Sequence, residues 1–156
     1  MTEPPMARDV SALREVLHGA LLRYLTVKPR GFELHRGARL RRSIEARILG
    51  FGGARTLYRD RKPVCRSLDG VQPITGDRAR RCSGCADRDR CAPQVRVDLI
   101  VDCVAYRLLL AYTSARAFLG YEGELRQRGV AIEHVLTKIT VVDRGRWGEL
   151  RFSALD

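Results

Sequence analysis

Alternation of apolar and polar residues predicts that most of this chain is strand. From Ile44 to Ile48 and from Val95 to Cys103 every second residue is apolar, which is the period of a strand with one buried face. The same reasoning places Cys103 in the core as a small apolar residue. Further strands are expected over residues 106–112, 132–142 and 146–153.

Two segments have helical periodicity instead. Residues 8–25 form one apolar stripe and end before a proline and glycine at Pro29 and Gly31. Residues 115–128 follow Ser114, a favoured N-cap, and precede a glycine that suits the C-cap. Between the first strands, Gly52-Gly53 predicts a hairpin turn into a strand over residues 54–60.

Four cysteines interrupt this pattern within a polar stretch. Val71 and Ile74 are the only large apolar residues from Asp69 to Asp89, so this stretch cannot fold by burying a core of its own. Four thiolates on one ion would hold it instead, and zinc is the first choice for a closed site of four cysteines. The predicted ligands, spaced C-x16-C-x2-C-x5-C, are Cys65, Cys82, Cys85 and Cys91.

Two alternatives to zinc remain open. Disulfides are one, but the polar start of the chain shows no signal peptide, which predicts a cytoplasmic protein, and disulfides are rare there. The other is an iron–sulfur cluster. The run Cys82-x2-Cys85-x5-Cys91 is similar to the end of the cluster motif in RecB-like exonucleases of CRISPR adaptation and recombination systems.

The charge of the chain is strongly positive. Its 156 residues carry 29 Lys plus Arg against 18 Asp plus Glu, a formal net charge of +11. Residues 1–62 hold most of the excess, with 14 basic against 6 acidic groups. Arginine, which far outnumbers lysine, makes bidentate contacts to phosphate and stacks on bases, so this surplus favours a polyanionic partner.

Aromatic side chains interleave with the basic residues. A ring can stack on an unpaired base while neighbouring cations follow the phosphates. Each ring also has a purely structural alternative. Phe32 would lie in the core, Tyr58 would be an ordinary strand tyrosine, and Trp147 would seal the edge of the sheet. The predicted nucleic-acid contacts are Arg30, Phe32, Arg36, Arg39, Arg41, Arg42, Arg55, Tyr58, Arg59, Arg61, Lys62 and Trp147.

The order of elements predicts a mainly β protein with two helices. Strands, one helix and a final pair of strands fit an OB-like β-barrel in which residues 65–91 are an inserted zinc loop. The expected division is an N-terminal helix and basic arm over residues 1–43, followed by the barrel over residues 44–156. An α+β fold with a zinc finger is the alternative.

A family resemblance supports this interpretation. The string Cys65-x-Ser-x-Asp-Gly70, Cys82-x2-Cys85 with the later cysteine, Thr113-Ser114 at a helix start and the closing Glu149-Leu-Arg-Phe152 resemble small zinc-bearing, OB-fold-like single-stranded-DNA-binding proteins of phages and mobile elements. The resemblance covers residues 58–153. It implies that the four cysteines are structural ligands.

The sequence therefore predicts a non-catalytic protein that binds single-stranded DNA or RNA. A zinc-stabilised adaptor subunit of a nucleoprotein complex, such as a CRISPR-type effector or transposition machinery, is the alternative. A metal-dependent nuclease using Asp98 and Asp102 is a third hypothesis. No apolar run approaches the roughly 20 residues of a membrane span, so no membrane partner is expected.

Overall fold

Strand β4, 17 residues long, is the axis of the fold in this computed structural model, which describes residues 22–74 and 81–155. Among those residues there is one α-helix, α1, over Tyr112–Gln127. The strands are β1 Arg23–Tyr24, β2 Thr26–Lys28, β3 Gly31–Glu33, β4 Ser43–Arg59, β5 Lys62–Ser67, β6 Ala92–Val101, β7 Val104–Leu110, β8 Leu136–Asp143 and β9 Gly148–Ala154.

Three neighbours share the length of β4. Its beginning pairs with β8, its middle and second half pair with β6, and its end pairs with β5, all antiparallel. Strand β7 follows β6, and β1 adds to β7 as a parallel edge strand, so the sheet is mixed. Strand β9 pairs with β8, while β2 and β3 form a separate ribbon.

The predicted OB-like barrel is wrong, because this sheet is not closed. Strands β8 and β5 lie on the same side of β4, at opposite ends of it, so β4 branches rather than continuing around a cylinder. The outer strands β1 and β9 each have one neighbour in the sheet. The broader expectation of a mainly β protein is confirmed, with one α-helix in the described residues.

The predicted hairpin turn at Gly52-Gly53 is also wrong, because β4 passes straight through these glycines. Gly52 lies directly opposite Arg96 of β6, and a Cβ there would be 3.3 Å from the guanidinium Nη2 of Arg96. The glycine therefore makes room for a long side chain that crosses the sheet. The turn comes instead at Asp60-Arg61, where both residues have positive φ.

Helix α1 covers one face of the sheet. Phe118 is fully buried, and its ring makes edge contacts with Phe51 of β4 and Phe152 of β9 at centroid distances of 5.2 and 5.3 Å. The helix starts two residues before the predicted cap. Ser114 is instead buried in the first turn, where its hydroxyl accepts a hydrogen bond of 3.0 Å from the Leu150 amide.

The N-terminal prediction lies mostly outside the described residues. Of the helix expected over residues 8–25, only the last four positions are described, and they contain strand β1 rather than helix. Leu25, Phe32 and Leu34 pack into the same core as β4 and α1. The division of the chain at residue 44 stays a prediction.

The expected core position of Cys103 is wrong as well. Cys103 is exposed in the tight turn between β6 and β7, where it and Asp102 have φ values of 65° and 50°. The alternation that predicted β6 therefore runs two residues past the end of the strand at Val101. In the part of the chain that the structure describes, no helix is long and apolar enough to cross a membrane.

Candidate nucleic-acid interface

The end of β4 and the start of β5 form a basic finger, residues 58–63. Pairing between β4 and β6 ends at Thr56 and Ala92, so this hairpin extends past β6 with two strands only. All six residues are exposed, and 45% of the surface of Tyr58 is accessible to solvent. Three of the six are cations and one is an acid, so the finger presents positive charge beside an aromatic ring. Its members are Tyr58, Arg59, Asp60, Arg61, Lys62 and Pro63.

The four cysteines lie at the base of this finger. Cys65 of β5 is opposite Leu57 of β4, and Cys91 immediately precedes Ala92, the partner of Thr56 on the other side of β4. Two short 3₁₀ turns determine where Cys85 and Cys91 lie. One, Cys82–Gly84, leads into Cys85, and the other, Arg88–Arg90, leads into Cys91. Strand pairing and two tight turns thus bring cysteines distant in sequence to one place.

The Cys91 thiol interacts electrostatically with the other three cysteines. Burial raises the pKa of the Cys91 thiol, and negative charge on Cys65, Cys85 and Cys82 raises that pKa further. A cation close to Cys91 would offset this opposition and favour its thiolate, so this donor set suits a metal ion. As placed, however, no three His, Cys, Asp or Glu side chains within residues 22–74 and 81–155 form a metal-holding group. Zinc binding stays a prediction.

An aspartate fixes the loop that leaves β5. One carboxylate oxygen of Asp69 accepts hydrogen bonds from the amides of Gln72 and Val71, at 2.8 and 2.7 Å, and from the Ser67 hydroxyl. These donors lower the pKa of Asp69, the Gln72 amide most and the Val71 amide next. The Val71 carbonyl in this turn accepts a 2.8 Å hydrogen bond from the Cys82 amide, which connects the cysteine segment to the loop after β5.

Arg55, another predicted contact, is partly buried on β4 between Ser67 of β5 and Pro93 of β6. The remaining predicted arginines lie at the opposite end of β4. Those in the turn before β3 and in the loop before β4 are exposed, and Arg41 pairs with Asp102 at 2.6 Å. These side chains precede the beginning of β4, whereas the finger is at its end, so the two groups are separated by the length of the strand. The members of this group are Arg30, Arg36, Arg39, Arg41 and Arg42.

Two predicted aromatic contacts have different outcomes. Phe32 is fully buried, which is the core alternative that the sequence left open, and its ring is not available to a base. Trp147 is 52% exposed in the turn between β8 and β9. Because Val141 of β8 bonds to the Arg42 carbonyl, this turn lies beyond the start of β4, at the end opposite the finger.

The sequence reasoning missed residues that support the finger from the sheet. The side-chain amide of Gln94 on β6 donates a 3.4 Å hydrogen bond to the Tyr58 hydroxyl. The amide oxygen of Gln94 in turn accepts a 2.7 Å hydrogen bond from the Thr56 hydroxyl. Arg66 of β5 lies with its guanidinium 4.8 Å from the ring centre of Tyr24, an exposed tyrosine on β1. The Gln94 contacts depend on the register of β4 and β6, and the Arg66 contact depends on the approach of β5 to β1, so local sequence reveals neither.

The two carboxylates considered for a nuclease are held by different arginines. The Asp98 carboxylate on β6 accepts two hydrogen bonds from the Arg107 guanidinium, at 2.8 and 3.3 Å. Asp102 lies in the turn after β6, and its carboxylate accepts a hydrogen bond from Arg41. Each carboxylate thus has a cationic partner, and the structure does not bring the two together as a pair.

Comparisons with known proteins give no match. A scan against protein-family models, a search of curated proteins and a search of solved structures all find nothing similar to this chain. The resemblance to phage single-stranded-DNA-binding proteins therefore stays a prediction, and the site must be interpreted from its own chemistry.

Proposed function

We propose that the protein binds single-stranded DNA or RNA without cutting it, with the basic finger as a main contact. The observation that carries this proposal is the finger itself. Six consecutive exposed residues combine three cations with a tyrosine that a sheet residue, Gln94, orients. An unpaired base can stack on such a ring while the cations bind its phosphates, whereas the bases of a duplex are already stacked on each other.

A zinc ion held by Cys65, Cys82, Cys85 and Cys91 would be structural. Four thiolates complete its tetrahedral shell and leave no position for a water or substrate. The chain's own residues support this part of the proposal. Cys65 and Cys91 flank β4 at Leu57 and Thr56, directly below Tyr58 and Arg59. A crosslink there would fix the direction in which the finger points.

Fluorescence anisotropy tests the binding. Single-stranded DNA, duplex DNA and single-stranded RNA of equal length are compared at low and high salt. The proposal expects tighter binding to a single strand than to the duplex, and weaker binding as salt rises because counterions are released from the phosphates. Tyr58→Ala is expected to weaken single-strand binding by about 5- to 150-fold, the cost of one lost stacking contact.

Equal or tighter binding to the duplex would contradict the single-strand proposal, and weak binding to all three would remove nucleic acid as the direct ligand. The control variant must not remove another exposed aromatic ring that a base could stack on, which excludes Tyr112, 72% exposed. Leu119→Ala is better, because Leu119 is an exposed residue on α1 away from the finger, and it should bind as the unmodified protein does.

A further inference from the structure

A second aromatic site lies where the turn between β8 and β9 meets the start of α1. Trp147 and Tyr112, 52% and 72% exposed, both line a cleft of about 350 Å³. This volume is within the range of small-molecule sites, and the rest of the lining is mostly apolar. We call it the tryptophan cleft, and its apolar lining is Val27, Leu109, Leu110 and Leu150.

The walls of the cleft are fixed by contacts to the core. At Gly148 a Cβ would be 2.6 Å from both the Lys28 carbonyl oxygen and a Val141 methyl, so β9 starts in direct contact with β2. The Leu150 amide bonds to the Ser114 hydroxyl, which joins β9 to the start of α1. The cleft is therefore preformed rather than dependent on a mobile loop.

Trp147 is held in a closed turn. The Arg144 amide donates to the Trp147 carbonyl at 3.0 Å, and the Gly145 amide donates to the Asp143 carboxylate at 2.8 Å. The Arg144 guanidinium also binds Glu149 at 2.9 Å and lowers the pKa of that carboxyl. The indole is thus presented at the cleft by a short, hydrogen-bonded backbone turn.

The charge around the cleft suits a phosphate-bearing ligand. The Arg116 guanidinium lies 5.8 Å from the ring centre of Tyr112, and Arg146 is exposed beside Trp147. No acidic side chain lines the cleft among the described residues. The nearby acid Glu149 is engaged by both Arg144 and Arg151.

We infer that the tryptophan cleft holds one unpaired nucleobase, against Trp147 and Tyr112, with its phosphate toward Arg116 or Arg146. This inference rests on the proposed function and adds a second contact that shares no residue with the finger. Most of the lining is aliphatic or aromatic; hydroxyls come from Tyr112, Thr113 and Ser114, and that of Ser114 already binds Leu150. Recognition is therefore mainly by ring surface, and purines, which bury more apolar area, should bind more tightly than pyrimidines.

Trp147 reports on this cleft directly, because it is the one tryptophan in the sequence. Its emission is recorded while the full-length protein is titrated with single-stranded oligonucleotides of adenosine and of thymidine, and separately with adenosine and thymidine monophosphates. We expect quenching by the oligonucleotides at the concentration where anisotropy shows binding. The monophosphates should quench at higher concentration, adenosine before thymidine.

Three variants test stacking without removing a charge. Tyr112→Ala should weaken oligonucleotide binding by about 5- to 150-fold and leave its salt dependence unchanged, because no cation is removed. Trp147→Phe keeps a ring and should retain most of the affinity, whereas Trp147→Ala should not. Leu119→Ala, exposed on the same helix outside the cleft, is the matched control.

The outcomes distinguish this inference from the proposed function. Oligonucleotide binding by anisotropy with unchanged Trp147 emission, or Tyr112→Ala binding like Leu119→Ala, would overturn the cleft assignment and leave the proposed function standing. If no oligonucleotide binds, the proposed function fails. In that case quenching by adenosine monophosphate that Tyr112→Ala abolishes would still support a base site, and its absence would overturn it.

Discussion

The basic finger and the tryptophan cleft present similar chemistry on different foundations. Both combine exposed aromatic rings with arginine. The finger is a two-stranded extension whose base contains four partly buried cysteines. The cleft is built on the main core, with Leu110 and Leu150 each about 1% exposed beneath it. If zinc binds as proposed, the same surface chemistry depends on a local crosslink in one place and on global packing in the other.

Removal of core packing should have the largest effect. Phe118→Ala deletes a fully buried ring between Phe51 and Phe152, and we expect a loss of about 3–5 kcal/mol in the free energy of unfolding. Urea denaturation measures it. Because β9 forms a wall of the cleft, Trp147 emission should change in the folded variant as well. Leu119→Ala, exposed at the next position, should stay within about 0.5 kcal/mol.

Loss of one predicted ligand should affect only the finger. Cys85→Ser leaves three thiolates, which do not close a tetrahedral site, so purified protein should lose its bound zinc. Amide exchange should quicken in residues 58–67 and 82–91, whereas Trp147 emission should remain as it was. Metal analysis and hydrogen exchange make the measurement.

Cys103→Ser is the matched control for that variant, since Cys103 is exposed in the β6–β7 turn. It should retain the metal. Unchanged metal content in Cys85→Ser, or equal loss in Cys103→Ser, would remove the four-cysteine site. Iron in place of zinc, with a brown colour, would instead favour the iron–sulfur alternative.

The smallest effect should come from the turn after β5. The Gln72 and Val71 amides lower the pKa of Asp69, so the folded loop binds its proton less readily than the unfolded chain. The stability that ionised Asp69 adds to the folded loop is complete above the ordinary Asp pKa of 3.8. It is lost as the pH falls through the lowered pKa of the folded state. The amide signals of Val71 and Gln72 should therefore shift only in strong acid.

Asp69→Asn provides the comparison for that titration. The amide side chain keeps an oxygen for the same two donors but has no acidic proton, so the shift in strong acid should disappear. Persistence of the shift in Asp69→Asn would mean that another group, or loss of metal, controls the loop. A shift that begins well above the ordinary Asp range would contradict the lowered pKa.

Period-two alternation predicted the strands well because a half-buried strand must alternate. It could not predict how they pair. Gly52-Gly53 suggests a turn only when the neighbour is ignored, and the neighbour is Arg96 from a strand about 40 residues later. The turn at Asp60-Arg61 uses two non-glycine residues at positive φ, a choice that local preference disfavours.

The site was predictable in its parts and not in its arrangement. Exposed cations and Tyr58 follow from composition and alternation. Phe32 is buried because the β2–β3 ribbon packs on the core, which no local pattern shows. The supporting residue Gln94 reaches Tyr58 only through the register of β4 and β6. Long-range pairing therefore determined the arrangement of the site, which local periodicity does not contain.

The salt dependence of binding tests the central claim most directly. Arg59, Arg61 and Lys62 are changed together to Gln, and the slope of log K against log salt is measured with single-stranded DNA. If the finger binds three phosphates, the slope should fall in magnitude by about 2. A control triple of Arg126, Arg128 and Lys138 to Gln removes equal charge elsewhere and should leave the slope unchanged. Equal changes in both triples, or none in the first, would contradict the assignment of the finger.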